Sequence, residues 1–232
     1  MNGALNALIF NDHIYIAGAR CLAARYRYAG DPAARALEYA KANKIKVKSV
    51  NLILKTFDCA LRFEKLPDIG DRDLRGLIEN NINEYFPSPL DGYAVSYRRW
   101  PDGDGYSVCL AAAPDSLSKP FIKAFGRHKI HINTIDIFQN AAADFIKREN
   151  AYVIALQKDD RINATFVRNG RPEAARDIHA AGEMAVFARM NGAEASELTV
   201  YAAECEMESV SEFIPGSDIA RIDCAALAAA YA

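Results

Sequence analysis

Apolar positions come in short blocks at the start of the chain. Residues 4–10 and 14–18 read as two strands joined by a hairpin turn at Asn11-Asp12-His13, and residues 21–28 extend them. Asp31-Pro32 combines an N-cap with proline at the first helical position, which opens a helix over 32–43 with Ala36, Leu37 and Ala40 on one face. Blocks at 47–54 and 59–63 predict strands. Asp68-Ile69-Gly70-Asp71 then starts a helix over 71–85, whose stripe is Leu74, Leu77, Ile78, Ile82 and Tyr85. Strands at 93–100 and 106–112 flank a turn at 101–105, a helix runs to about 126, a strand covers 130–137, and a helix covers 138–147. Residues 47–137 thus read as ββαββαβ, a small α+β module. A second unit begins at 151: strands at 152–156 and 162–168, the hairpin turn Asn169-Gly170, a strand at 171–178, then helix, strand, helix, strand and a closing helix. No internal repeat is visible.

Composition narrows the function classes. The chain has 232 residues, 51% hydrophobic and 25% charged, with 28 Lys+Arg against 30 Asp+Glu. That is a globular profile, and the net charge of −2 makes no electrostatic case for nucleic acid or an anionic membrane. The densest basic run, 41–48, reads as a solvated helix end or strand edge. Five cysteines without CxxC spacing read as reduced thiols, mostly in the core. No apolar run reaches membrane-spanning length and no signal peptide is evident, so a cytoplasmic protein is expected. The alanine-rich end, 225–232, has no polar tail, which is compatible with a longer parent chain.

Candidate chemistry is sparse. His128 and His131 lack a third metal ligand nearby, and Asp102-Gly103-Asp104-Gly105 lacks calcium-loop spacing and its distant Glu. Asp68-Ile69-Gly70 precedes a helix and reads as its N-terminal turn. Nucleophile-elbow, HExxH and P-loop patterns are missing.

Three pieces in order resemble the type IV pilus assembly protein PilM family: Tyr85-Phe86-Pro87-Ser88-Pro89-Leu90-Asp91 after a helix, Ala111-Ala112-Ala113-Pro114-Asp115 at a strand end, and Ile135-Asp136-Ile137 leading to Ala141-Ala142-Ala143. The likeness covers roughly residues 47–182 and is weak at both ends. It implies an α/β fold with actin-like, ribonuclease-H-like lobes, related to FtsA and, more distantly, GspL. The expected organisation is 1–46 with 138–150 as the first lobe, 47–137 as an inserted module, and 151–232 as a reduced second lobe.

Actin-like ATPases hold phosphates and Mg²⁺ with an Asp, a Gly and a hydroxyl on each of two hairpins. Alignment on the family pattern puts Leu8 and Phe10 at the first hairpin's Asp and Gly, and Tyr15 at its lysine. Leu156, Lys158 and Ile162 fall where Asp, Gly and Thr belong at the second. The implied nucleotide site is degenerate, with no cofactor and no catalysis. The segment Arg176-Asp177-Ile178-His179-Ala180-Ala181-Gly182 matches a family turn with one glycine lost. The resemblance implies a non-catalytic scaffold of a pilus, secretion or competence machine, peripheral to the inner membrane through a PilN-like partner tail. Self-association is a further implied possibility; nucleic-acid binding and membrane insertion are not expected. The alternative is an actin-like ATP-binding protein with divergent phosphate loops. Pro87 ends its helix by forcing Phe86 out of αR, so Tyr85 and Phe86 either cap the module core or line a peptide groove. By analogy that groove takes Asn51, Leu52, Leu54, Tyr85, Phe86, Pro87 and Tyr97.

Overall fold

β1 (Asn2–Ile9) and β2 (His13–Gly18) form the expected hairpin, and β3 (Ala24–Arg27) pairs antiparallel with β2. The computed structural model describes residues 2–10, 12–18, 21–27, 31–55, 59–86, 91–214 and 216–231, with backbone alone at 2, 158, 181 and 205. Asp31 caps α1 (Pro32–Ala42), its carboxylate accepting from the backbone N–H groups of Ala33 and Ala34 at 2.9 and 3.3 Å. α1 carries the chain to β4 (Lys46–Leu54), which lies parallel to β1.

β5 (Ala60–Pro67), α2 (Asp71–Asn80), the single turn α3 (Ile82–Tyr85), β6 (Tyr93–Asp102) and β7 (Gly105–Pro114) then build a separate antiparallel sheet in the order β5-β7-β6. α2 covers one face of it, burying Leu74 and Ile78 against Phe86, Val108, Leu110 and Ala112. α4 (Asp115–Arg127) leads into β8 (His131–Ile137), which returns to the first sheet beside β4. The first sheet therefore runs β3-β2-β1-β4-β8. This corrects the expected module over 47–137: β4, α4 and β8 belong to the first lobe. Their parallel pairing spans the inserted residues, and apolar alternation cannot tell which sheet a strand joins.

β9 (Tyr152–Lys158), β10 (Arg161–Arg168) and β11 (Arg171–Ile178) form an antiparallel meander. Asn169 and Gly170, at φ 53° and 72°, make the two-residue turn that their sequence predicts. α6 (Ala181–Met190), β12 (Thr199–Ala203), α7 (Met207–Phe213) and β13 (Asp218–Ile222) follow, giving the sheet β11-β10-β9-β12-β13. This order repeats that of the first sheet, with three antiparallel strands, a crossover helix and two parallel strands. The two lobes are topological duplicates although their residues show no repeat.

α5 (Phe138–Ile146) and α8 (Cys224–Ala230) follow the last strand of each sheet and pack together between the lobes. Strand alternation sorts the cores. Leu5, Ala7 and Ile9 face α1 and α4, while Leu8, Tyr15 and Ala17 face the central core with Phe138, Tyr152, Leu156 and Leu227. The outer face of the second sheet packs on α6 and α7 through Val153, Ala155, Phe166 and Phe187.

Candidate functional site

In open α/β sheets, ligands sit outside the carboxyl ends of the parallel strands. Here the carboxyl ends of β1, β4, β9 and β12 lie about the central core, and side chains from both lobes meet there. Phe10 is buried and stacks on His13 at 4.6 Å between ring centroids and 9° between planes. It meets Tyr15 and Phe138 edge-on at 5.9 and 6.0 Å. Lys55, just past β4, holds its ammonium 5.6 Å from the Phe10 centroid and ion-pairs with Glu206. Glu206 belongs to the 3-10 turn Glu204–Glu206 that follows β12, and its Oε2 also accepts from Gln157 N at 3.5 Å. Burial raises the Glu206 carboxyl pKa against the opposing pull of Lys55. Tyr15 donates to Glu204 Oε1 at 2.7 Å, and burial first, then that bond, raises its phenol pKa.

Leu8 and Leu156, the residues aligned with the two metal-binding carboxylates, are fully buried in the central core. Lys158 ends β9; its side chain lies outside the described residues. Ile162 faces the other side of the second sheet, in the core with Met184 and Phe187. Its neighbour Asn163, paired with Leu156, is the residue on the inner face. It accepts from Gln139 Nε2 at 3.3 Å and donates to Asp177 at 2.9 Å. The expected grouping of Ile162 with the other loop positions is therefore one residue out, and one residue of slip exchanges the faces of a strand. Among the described residues no three His, Cys, Asp or Glu side chains gather to hold a metal.

A cavity lies between the module and the body. This cleft of about 820 Å³ is bounded by Ser96, Tyr97 and Arg98 of β6, by Thr134 and Ile135 of β8, and by parts of β7, α5 and α8. β6 and β8 are edge strands of their sheets. Asp136 organises one wall. Its Oδ1 accepts from Ile137 N at 2.8 Å and Asn140 Nδ2 at 3.2 Å; its Oδ2 accepts from the Tyr231 hydroxyl at 2.8 Å and lies 3.6 Å from Arg98 Nη1. Arg98 also ion-pairs with Asp144. Burial and the nearby Asp136 charge raise the Tyr231 phenol pKa. Burial pushes the Cys109 thiol up to about 12, so it lines the cleft as a neutral group. Asn140 Oδ1 is buried with no hydrogen-bond partner among the described residues.

Of the residues expected to grip a peptide, the structure places Tyr97 in this cleft. Leu52 and Leu54 point to the opposite face of β4, beneath α1 and α4. Asn51 is on the inner face, where it donates to Asn6 Oδ1 at 2.8 Å; Asn6 in turn donates to the backbone carbonyls of Ala228, at 3.0 Å, and Tyr231. Phe86 is buried in the module core and Tyr85 packs half-buried against it. Arg62 donates to Tyr85 O at 3.1 Å and sits 5.9 Å from the Phe86 centroid. Pro87 lies outside the described residues. Sequence reasoning missed Arg98, Asp136, Asn140, Asp144 and Tyr231, although Ile135-Asp136-Ile137 had stood out as a motif.

Comparison with solved structures identifies the architecture. The PilM-PilN type IV pilus biogenesis complex matches with a TM-score of 0.71 and 11% identity, covering 98% of this chain and 90% of that one. A Bacteroides thetaiotaomicron protein with an actin-like ATPase fold and unknown function matches at TM-score 0.53 and 9% identity, over 96% and 91%. The cytoplasmic domain of EpsL, an inner-membrane component of the Vibrio cholerae type II secretion system, matches at 0.52 and 13%, over 96% and 86%. No family model and no curated protein sequence matches the chain. The fold is PilM-like and actin-like. No helix among the described residues is long and apolar enough to cross a membrane.

Proposed function

We propose that this protein is a non-hydrolysing cytoplasmic scaffold of a type IV pilus-like or type II secretion-like machine, and that it grips the extended tail of a membrane partner between its module and its body. One observation carries the reading: the roughly 820 Å³ cleft is flanked by β6 and β8, each an edge strand of its sheet among the described residues. An extended peptide pairs with such an edge through its main chain and sets its side chains into adjoining pockets. Ile135 and Phe145 supply apolar wall. The PilM neighbour, solved with PilN, supports a partner of that kind.

The neighbours' actin-like ATPase fold favours the rival reading, in which ATP binds between the lobes. The contacts of Lys55 with Phe10 and Glu206, side chains that meet where the parallel strands of both lobes end, support the scaffold reading instead. To test the scaffold reading, the full chain is used as bait on detergent-solubilised membranes. The tail of the captured protein is then titrated as a synthetic peptide against wild type and Ile135→Arg. Saturable binding that Ile135→Arg abolishes supports the cleft; equal binding to both refutes it.

A further inference from the structure

We infer that one end of the first lobe, which shares no residue with the cleft, docks on an anionic phospholipid surface. The basic run at 41–48 is half of a patch that the fold completes. α1 and α4 pack side by side and feed the neighbouring parallel strands β4 and β8, with Ser49 opposite His131. Both helices end in the same turn. Asn43 (φ −96°, ψ 6°) precedes Lys44 at φ 54°, and His128 (φ −98°, ψ 8°) precedes Lys129 at φ 57°. In each turn the following isoleucine N–H bonds back to the helix, Ile45 to Ala40 O at 2.8 Å and Ile130 to Phe125 O at 3.1 Å.

The paired turns bring Lys41, Lys44, Lys46 and Lys48 to the same end of the lobe as Arg127 and Lys129, and all six are exposed. No Asp or Glu occurs in residues 39–57 or 116–135. The nearest acid on α1, Glu38, is paired with Arg35 at 2.7 Å. One cation per helix end satisfies the helix dipole; this end carries more than that, in a chain whose net charge is −2. Beside it Leu22 is 92% exposed. Its carbonyl accepts from the Tyr39 hydroxyl at 3.0 Å, and that hydroxyl also accepts from Gly18 N at 3.0 Å, so the loop is pinned to the last turns of α1. A lone exposed leucine is ordinary on a protein surface. Next to an acid-free basic patch it has a use. A bilayer interface takes an apolar side chain and cations together, whereas a nucleic-acid backbone or an acidic peptide rewards only the cations.

The full chain is tested by co-sedimentation with phosphatidylcholine vesicles, with and without phosphatidylglycerol, at low and high salt. Binding is expected only with the anionic lipid and is expected to fall as salt rises. Each cation near such a surface multiplies partitioning about fivefold, so Lys44→Asn with Lys129→Asn lowers it about 25-fold. Asparagine tolerates the left-handed backbone at both positions, so this variant keeps the turns, as its thermal melt will confirm. Leu22→Ser weakens binding several-fold while leaving the salt dependence unchanged. Equal association with neutral vesicles, association with neither, or unchanged binding of the double variant overturns the inference. So does binding to polyglutamate or duplex DNA in place of vesicles. None of these residues lines the cleft, so either site can fail without the other.

Discussion

Lys55 and Glu206 form a buried ion pair that joins the first lobe to the second where the parallel strands of both sheets end. Their side chains are 8% and 10% exposed. Breaking such a pair leaves one charge in a poorly solvated site, whereas replacing both members by apolar groups removes the desolvation cost as well. Glu206→Leu is therefore expected to lose about 3–5 kcal/mol of stability, and the double variant Lys55→Met with Glu206→Leu to recover most of it. A double-mutant cycle by urea unfolding of the full chain measures the coupling. Additive single losses would show that the pair does not hold the lobes together.

Glu206 should also leave a mark on the pH dependence of stability. Its folded pKa is raised from 4.5, with burial as the largest cause. The folded state then holds the proton more tightly than the unfolded chain. Its stabilising contribution is present below pH 4.5 and is lost as pH rises through the folded value. Subtracting the stability–pH curve of Glu206→Gln from that of wild type isolates this contribution. The difference should fall with pH just above 4.5; a rise there would mean a depressed pKa and a pair stronger than its desolvation.

Restoring the actin-type residues is expected to harm the protein. Leu8 is fully buried in the central core, and a carboxylate there would have to be desolvated or stay protonated. Phe10→Gly removes a ring that contacts His13, Tyr15 and Phe138, at a cost of about 3–5 kcal/mol. Leu8→Asp with Phe10→Gly should melt well below wild type and gain no affinity for Mg-ATP, as calorimetry will show.

Much of the fold was legible because local signals are strong. Asp31-Pro32, Asn169-Gly170 and the Leu74–Ile78 stripe each produced the element they predict. What stayed hidden depends on long-range pairing. Nothing near residue 50 says that β4 lies between β1 and β8, so the sequence alone groups it with the module. The duplicated topology leaves no residue repeat, because two sheets can share a strand order without sharing side chains. The site suffered more. Leu52, Leu54 and Ile162 turn to the outer faces of their sheets, and alternation shows which residues share a face but not what that face meets. Arg98 and Asp144 meet only because the module folds back onto α5.

That difference in face can be measured. Leu52→Ala empties part of the α1–α4 core and should cost about 2–5 kcal/mol while the folded protein still captures its partner. Ile135→Arg sits on an exposed edge and should leave stability within about 0.5 kcal/mol while abolishing capture. The reverse pattern would return the binding surface to the α1 side of β4.

Thermal unfolding of the full chain with increasing Mg-ATP tests most directly whether the space between the lobes is closed to nucleotide. A ligand bound only by the folded protein at 100 times its dissociation constant adds about 2.7 kcal/mol, a shift easily seen in the melting temperature. With Phe10, Lys55 and Glu206 in place, the melting temperature should stay constant across the titration. A rise that grows with Mg-ATP concentration, and is absent with Mg²⁺ alone, would contradict it.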